Sequence, residues 1–339
     1  MNNILITGGA GYIGSHTAVA LVEAGFEPII IDNFSNSDVS VLKGLKNILG
    51  RELTYYEGDC NDRALMEKIF SENEIKGVIH FAAFKAVGES TKLPLNYYSN
   101  NINSLLVLLE TMEKFKVKDL VFSSSCTVYG QPDELPVSES TPRKEAESPY
   151  GNTKKICEDI LKDYIKSGVN SRIISLRYFN PVGAHPSGEI GELPLGIPNN
   201  LVPFITQTGA GLREKLTVFG DDYNTPDGSC VRDYIHVMDL ADAHVKALKY
   251  LFQQQDNFYD LFNVGTGNGN TVLEVIKTFE KVSQKPLNYQ IGPRRSGDIE
   301  KVWANTDKIN SVLGWKAKYS LEDSLRDSWH WQQKLVEKS

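Results

Sequence analysis

The sequence predicts an α/β fold: a doubly wound parallel sheet joined to a smaller mixed α/β lobe. Three observations point there. Short apolar runs alternate with longer amphipathic stretches through the first half of the chain. Several runs are apolar without interruption, as strands are when helices cover both faces of a parallel sheet. A glycine-rich turn joins the first run to the first amphipathic stretch.

Taken in order, Asn3–Thr7 reads as a strand, the glycine turn follows, and Tyr12–Ala24 reads as a helix. The pattern repeats with strand Glu27–Ile31 and helix Ser37–Gly50, then strand Leu53–Glu57 and helix Asp62–Asn73. Strand Gly77–His80, helix Asn96–Phe115, strand Asp119–Ser123, helix Tyr150–Lys166 and strand Arg172–Leu176 continue it. After about residue 180 Pro181, Pro186, Pro194, Pro198 and Pro203 fall among glycines, and regular structure is expected to become short and irregular. Residues 1–180 are therefore read as the sheet domain and 181–339 as a substrate lobe. Helix Asp239–Gln253 and strand Leu261–Val264 still have the texture of the sheet domain, so segments near 233–264 are expected to return to it. Ser320–Lys334 reads as an amphipathic helix whose Trp329 and Trp331 pack into a core.

The 339 residues suit two domains sharing an interface. Net charge is −7, from 36 basic and 43 acidic residues, which argues against bulk binding of nucleic acid or anionic membrane. It leaves room for a small anion held by local arginines or helix N-termini. Cys60, Cys126, Cys157 and Cys230 form no CxxC pair and no zinc pattern, and are expected to be free thiols. The six histidines form no metal-binding motif, so no metal is expected. The N-terminus lacks a basic stretch, a cleavage site and any bilayer-length apolar run, and a cytoplasmic location is expected.

The turn Gly8-Gly9-Ala10-Gly11-Tyr12-Ile13-Gly14 follows a strand and opens a helix. Gly8 allows the tight turn, Gly11 lets the backbone approach a pyrophosphate, and Gly14 permits close helix–strand packing. The helix N-terminus adds partial positive charge. Asp32 ends the second strand, where a carboxylate accepts from ribose hydroxyls and repels a 2′-phosphate, selecting NAD over NADP. Asp59, in Gly58-Asp59-Cys60, is either an adenine contact or a helix cap.

Tyr150 and Lys154 stand at i and i+4, one turn apart on one helix face. A phenol is a poor base at neutral pH, but a nearby ammonium and the positive nicotinamide ring favour its phenolate. Lowering its pKa by about 3 units corresponds to ~4 kcal/mol, more than an exposed pair supplies, so the site must be partly desolvated. The hydroxyl-rich Ser123-Ser124-Ser125-Cys126-Thr127 follows the strand at its carboxyl end, where doubly wound sheets bind ligands. A serine or threonine there can bridge a substrate hydroxyl and the tyrosine. Arg232 and Arg295 lie in what read as loops and suit bidentate phosphate recognition. Phe219 could stack on a base.

Together with Asp32-Asn33, Phe81-Ala82-Ala83-Phe84-Lys85-Ala86-Val87-Gly88-Glu89-Ser90, Arg177-Tyr178-Phe179-Asn180 and Val231-Arg232-Asp233-Tyr234-Ile235-His236-Val237, these motifs resemble the extended short-chain dehydrogenase/reductase family, and within it the UDP-galactose 4-epimerases. The resemblance covers essentially the whole chain. It implies a Rossmann-like fold, bound NAD, and interconversion of UDP-glucose and UDP-galactose through a 4-keto sugar. It implies Tyr150 as acid/base, Ser125 as its hydrogen-bond partner and Lys154 as the cation that tunes the phenol. By the same resemblance Gly8, Gly11, Tyr12, Ile13, Gly14, Asp32, Asn33, Asn36, Ser37, Asp59, Cys60, Phe81, Ala82, Ala83, Lys85, Asn100, Ser125, Tyr150, Lys154, Tyr178 and Phe179 hold the cofactor. Lys85, Ser125, Thr127, Tyr150, Asn180, Asn200, Leu201, Phe219, Arg232, Arg295, Asp298 and Val302 contact the UDP-sugar. Sibling dehydratases place carboxylates just after the catalytic hydroxyl, whereas Cys126 and Thr127 stand there in this chain. Val302, where plain-hexose enzymes carry tyrosine, implies some activity on UDP-N-acetylhexosamines. A homodimer through the helices near Asn96–Phe115 and Tyr150–Lys166 is also implied. The alternatives are an epimerase of UDP-N-acetylglucosamine or UDP-glucuronate, and a non-catalytic NAD-binding regulator, which would not need Ser125, Tyr150 and Lys154 together.

Overall fold

The computed structural model describes residues 2–295 and 298–337. The first half alternates as expected: β1 (Asn3–Thr7), α1 (Tyr12–Glu23), β2 (Glu27–Asp32), α2 (Ser40–Leu49), β3 (Thr54–Glu57), α3 (Arg63–Glu72) and β4 (Ile75–His80). A short α4 (Val87–Ser90) and the long α5 (Pro94–Lys114) lead to β5 (Asp119–Ser125), α6 (Pro149–Lys166) and β6 (Arg172–Tyr178). Then come β7 (Asn180–Val182), α7 (Leu201–Gly209), β8 (Leu216–Phe219), β9 (Val231–Arg232), β10 (Tyr234–His236), α8 (Val237–Leu251) and β11 (Phe258–Val264). The chain ends with β12 (Asn270–Thr271), α9 (Val272–Ser283), β13 (Tyr289–Gly292), β14 (Lys301–Val302), α10 (Asp307–Leu313) and α11 (Leu321–Glu337).

Seven strands form one parallel sheet in the order β11-β6-β5-β4-β1-β2-β3. This is the doubly wound fold that the alternation predicts. The uninterrupted apolar run of β1 follows from burial on both sides. Ile4 and Ile6 belong to one core cluster, with α1 and α8 residues such as Ala18, Val19 and Leu248. Leu5, between them, belongs to the other, with Met66, Leu105 and Leu161 from α3, α5 and α6. Neighbouring residues of a strand point to opposite faces, and each face has its own helical layer. The order reverses beside β1, between β2 and β4, which opens a crevice at the carboxyl ends of these strands.

Several boundaries differ from the sequence reading. The helix expected from Asn96 begins two residues earlier, because Pro94 fits the first turn, where a missing N–H costs nothing. The helix expected from Ser37 begins at Ser40, since the Ser37 hydroxyl is committed to Asp32. The region after residue 180 is more regular than expected. Thr271 and Glu274 form a reciprocal capping box that starts α9, and α11 runs for 17 residues. Trp329 and Trp331 are buried, the latter donating to the Glu192 carbonyl at 3.0 Å. Among the described residues, no helix is long and apolar enough to cross a membrane.

Candidate active site

The carboxyl ends of the central strands bring the singled-out residues together. The β1–α1 turn needs its glycines. Gly8 has φ +68°, and a Cβ on Gly14 would sit 2.3 Å from the Gly8 carbonyl oxygen. Gly11 caps α1 without a side chain, and no acidic residue stands in the first turn, so the leading N–H groups carry neither a side-chain cap nor a local countercharge. That end of the helix fits an anion such as a pyrophosphate. Ile13 packs against the core beneath it. The Tyr12 phenol donates to the Gly183 carbonyl at 2.7 Å, tying the turn to the second lobe.

Asp32 ends β2 with its carboxylate already braced. It accepts from the Ala10 N–H at 3.0 Å, the Phe34 N–H at 2.9 Å and the Ser37 hydroxyl at 2.8 Å. Of the two readings of Asp59, the capping one is wrong. Asp62 caps α3, accepting from the Leu65 N–H, while Asp59 accepts from Asn33 Nδ2 at 3.2 Å and from Asn61. Asn61 in turn donates to Asn100 at 3.1 Å, so Asn33, Asp59 and Asn100 form one polar string beside β2 and β3. Cys60 is buried and its thiol is pushed up to about 12 by desolvation, which makes it inert at neutral pH. Next to β4, the Ala82 N–H donates to Thr7 Oγ1, and Phe81 packs 4.7 Å from the His244 ring. Nothing in the structure distinguishes Asn36 or Ala83.

The catalytic candidates meet where β5 faces α6. The strand runs through Ser125, so the three hydroxyls are its last residues rather than a turn beyond it. Ser125 lies beside the Tyr150 phenol and favours its ionised form, and it pairs in register with Tyr178 of β6. Thr127 lies beside Gly151, and its Oγ1 is buried without a hydrogen-bond partner. A buried hydroxyl left unpaired is costly, and a ligand hydroxyl would satisfy it. Lys154 is buried and donates to the Ser123 carbonyl at 2.7 Å, with its ammonium 5.0 Å from the centre of the Phe122 ring. Desolvation pushes Lys154 down to about 8, while Cys157 and Glu158 act the other way. Desolvation pushes Tyr150 up to about 12, opposed by the neighbouring Ser125 hydroxyl. The chain by itself therefore disfavours the phenolate, and a positive charge brought close to the phenol would favour it. Tyr178 is held by a 2.5 Å hydrogen bond to His244.

The second lobe supplies the charges. Arg232 is on β9 rather than in a loop, because Val231 and Arg232 pair with both β12 and β14. Asp298 gathers the two arginines, at 3.7 Å from Arg232 and 2.7 Å from Arg295. The Arg295 guanidinium lies 5.6 Å from the ring of Phe219, which is 42% exposed at the end of β8. Val302 pairs in register with Arg232 and is buried in the cluster containing Phe179 and Tyr129. The Cys126 thiol feels the Arg232 charge, so this group adjoins the serine strand. Asn200 precedes α7 but does not cap it; its amide donates to Glu192 at 2.6 Å, leaving Leu201 to open a helix without a side-chain cap. Lys85 approaches the same carboxylate at 3.8 Å. Asn180 is anchored through its N–H to the Asp233 carbonyl at 2.9 Å.

Sequence reasoning passed over Glu192, which joins Lys85 and Asn200. It also passed over Asp233, whose buried carboxylate accepts from Thr266, Gly267 and Ala304 and so joins β9 to the segment after β11. The first could only be found through its partners, which lie far apart in the chain. The second stands inside a quoted motif, but burial rather than spacing gives it its role.

The comparisons with known proteins agree with this geometry. Residues 5–328 match the family model described as GDP-mannose 4,6 dehydratase. A UDP-glucose 4-epimerase of Bacillus subtilis is 52% identical over 333 residues, covering 98% of this chain and 97% of the relative. The chain belongs to the UDP-glucose 4-epimerase family of extended short-chain dehydrogenases/reductases. Solved members of that family superpose throughout. The UDP-glucose 4-epimerase of Bifidobacterium longum, in complex with NAD+ and UDP, has a TM-score of 0.96 at 46% identity over the whole of both chains. That of Stenotrophomonas maltophila, with bound NAD and formylated UDP-arabinopyranose, has a TM-score of 0.97, also at 46% identity and full coverage.

Proposed function

We propose that this chain interconverts UDP-glucose and UDP-galactose by transient oxidation at sugar C4, with NAD kept on the enzyme. The observation that carries the reading is the placing of the Tyr150 phenol beside Ser125 and the unpartnered Thr127 hydroxyl, at the carboxyl end of β5. A hydroxyl of the bound sugar would supply the partner that buried oxygen needs. When bound, NAD supplies the hydride acceptor and donor.

The side chains divide the rest of the work. Tyr150 takes the 4′-hydroxyl proton and later returns it, with Ser125 orienting both oxygens. Lys154, fixed on the Ser123 carbonyl, adds positive charge near the phenol. Gly8, Gly11 and the N-terminus of α1 suit the pyrophosphate of the dinucleotide, and Asp32 suits an unphosphorylated ribose. Asn33, Asp59, Asn100, Lys85, Phe81, Ala82, Tyr178 and Phe179 line the cofactor side. Arg232, Arg295 and Asp298 suit the UDP diphosphate, Phe219 the uracil, and Asn180, Asn200 and Leu201 the remaining nucleotide and sugar contacts. A firm grip on the nucleotide and a loose one on the sugar lets the oxidised sugar turn over and receive hydride on its other face. Carboxylates that would divert it to dehydration are missing after Ser125.

A broader substrate range is part of the reading: Val302, in register with Arg232, is a small side chain where plain-hexose enzymes carry tyrosine, which favours acceptance of an N-acetyl group at C2. We read the chain as a cytoplasmic homodimer of two-lobed subunits, divided near residue 180 with segments near 233–264 in the sheet lobe. Support for dimerisation comes from α5, which packs on α6 and leaves Leu95 and Leu106 exposed. The test is incubation of purified protein with UDP-galactose, without added NAD, followed by anomeric proton NMR. UDP-glucose is the expected product. No product even after NAD is supplied overturns the assignment.

A further inference from the structure

Three consecutive residues of β5 each engage a residue of α6, and the three partners on the helix are one turn apart. Ser125 lies beside the Tyr150 phenol, the Ser123 carbonyl accepts from Lys154, and the Ser124 hydroxyl donates to Glu158 at 2.7 Å. Positions i, i+4 and i+8 share one helix face. The third is fully buried. Its two carboxylate oxygens accept from Arg177 Nε at 2.8 Å and Nη2 at 2.7 Å, a bidentate pair. Arg177 reaches on to the Tyr129 hydroxyl at 2.8 Å, and Tyr129 to Asn263 of β11 at 2.6 Å. One carboxylate thus ties α6 to β5 at the residue before Ser125 and to β6 at the residue before Tyr178.

We infer that Glu158 is a positioning residue of the reaction, fixing the register of α6 on β5 so that Tyr150 meets Ser125 and Lys154 stays on Ser123. The inference rests on the proton-transfer role proposed for Tyr150. A buried ion pair is weak grounds for stability, because replacing it with apolar groups is often neutral. Its value lies in geometry: a bidentate pair tolerates little sliding, and a shift of about 1 Å in a reacting group can cost on the order of 100-fold in rate. Glu158 also has an electrostatic reach that packing alone lacks. Its charge favours the Lys154 ammonium. The other groups facing Glu158 are Arg143 from the segment before α6, Cys157 beside it on α6, Lys162 on the next turn and Tyr259 of β11; those facing Lys154 are His80 of β4 and Cys157.

The test compares two variants that leave Tyr150, Ser125 and Lys154 in place. Glu158→Gln with Arg177→Met removes both charges, leaving none buried alone; Ser124→Ala removes one hydrogen bond and keeps the ion pair. The expected result is a melting temperature close to that of the parent, with kcat for UDP-galactose reduced at least tenfold in the first and threefold in the second, at nearly unchanged KM. The alkaline limb of the pH profile should move to lower pH in the first variant alone. The phenol is followed directly by the tyrosinate absorbance of each protein minus that of its Tyr150→Phe counterpart, in which the midpoint should move in the first variant. Folded variants with parental kcat and an unmoved limb would overturn the inference. If the double variant does not fold, Ser124→Ala decides alone, and parental kcat there overturns it. Tyr150→Phe, assayed alongside, separates the two claims: turnover retained there removes the proton-transfer role itself, whereas its loss with intact Glu158 variants removes only the positioning role.

Discussion

Lys154 lies one helical turn beyond Tyr150, yet its ammonium donates to the main-chain carbonyl of Ser123 at 2.7 Å. The strand that presents Ser125 to the phenol therefore also holds the lysine, and the cation is a fixed charge. Desolvation pushes that ammonium down to about 8. A group needed in its protonated form is fully present below its pKa and lost above it. Turnover is expected to decline as pH rises through about 8, read from the pH profile of kcat. Constant kcat up to pH 10 would show that the charge of Lys154 is not used.

The phenol behaves in the opposite sense. Desolvation holds Tyr150 up at about 12 in the chain alone, so its proton stays on until a positive charge arrives. Tyr150→Phe should keep the fold and lose turnover by about 10²–10⁴-fold, the usual worth of a positioned acid/base. In the parent, the tyrosinate absorbance assigned to Tyr150 should appear at lower pH with NAD bound than after the cofactor is stripped. Equal titration in both forms would remove the cation's role.

Much of this was legible in the sequence because it depends on local spacing. The apolar β1, the strand–glycine–helix turn and the Tyr150/Lys154 pair each occupy a few consecutive positions, and each carries its physics within them. Glu158 does not. On the sequence it is one more charge on an amphipathic helix, and its partner Arg177 belongs to another strand, so only the folded sheet brings them together. Arg232 was misplaced for a related reason: a two-residue strand has no periodicity, and β9 exists only because β12 and β14 flank it. The capping box of Thr271 and Glu274 was readable from spacing, but the surrounding glycines masked it.

The arginine pair on Asp298 gives a binding prediction. Arg232 is the more shielded of the two, with a side chain 16% exposed against 57% for Arg295. Hydrogen bonds to charged groups are worth roughly 1.5–3 kcal/mol, and lysine cannot reproduce the guanidinium fork. Arg232→Lys is expected to weaken UDP binding by about 10–100-fold, with a smaller effect from Arg295→Lys. Calorimetric titration with UDP measures both, and a larger loss at Arg295 would reverse the assignment.

Gly14 tests the cofactor turn. An alanine there places its Cβ 2.3 Å from the Gly8 oxygen and 2.8 Å from Gly9 Cα, and both neighbours are backbone. The turn or the helix must shift, at a typical cost of ~1–3 kcal/mol. Gly14→Ala should melt several degrees lower and retain less NAD through purification, quantified by absorbance of the released nucleotide. By contrast, Gly25→Ala meets no atom within 4 Å, so any loss there comes only from its φ of +86°.

Val302 carries the prediction about substrate range. It pairs with Arg232 across β14 and β9, so a substrate held at Arg232, as proposed, would lie next to it. A valine side chain ends well short of where a tyrosine ring would reach, and the prediction is that this difference decides whether an acetamido group is admitted. The parent should convert UDP-N-acetylglucosamine as well as UDP-glucose, and Val302→Tyr should lose the first activity while keeping the second. The position is only 3% exposed and packs with Phe179, so the added ring could instead overpack the core. Melting temperature and kcat on UDP-galactose separate the two effects: a destabilised core lowers both activities together, whereas a narrowed pocket lowers only that on the N-acetyl sugar. A parent enzyme inactive on UDP-N-acetylglucosamine would show that some other wall of the pocket sets the limit.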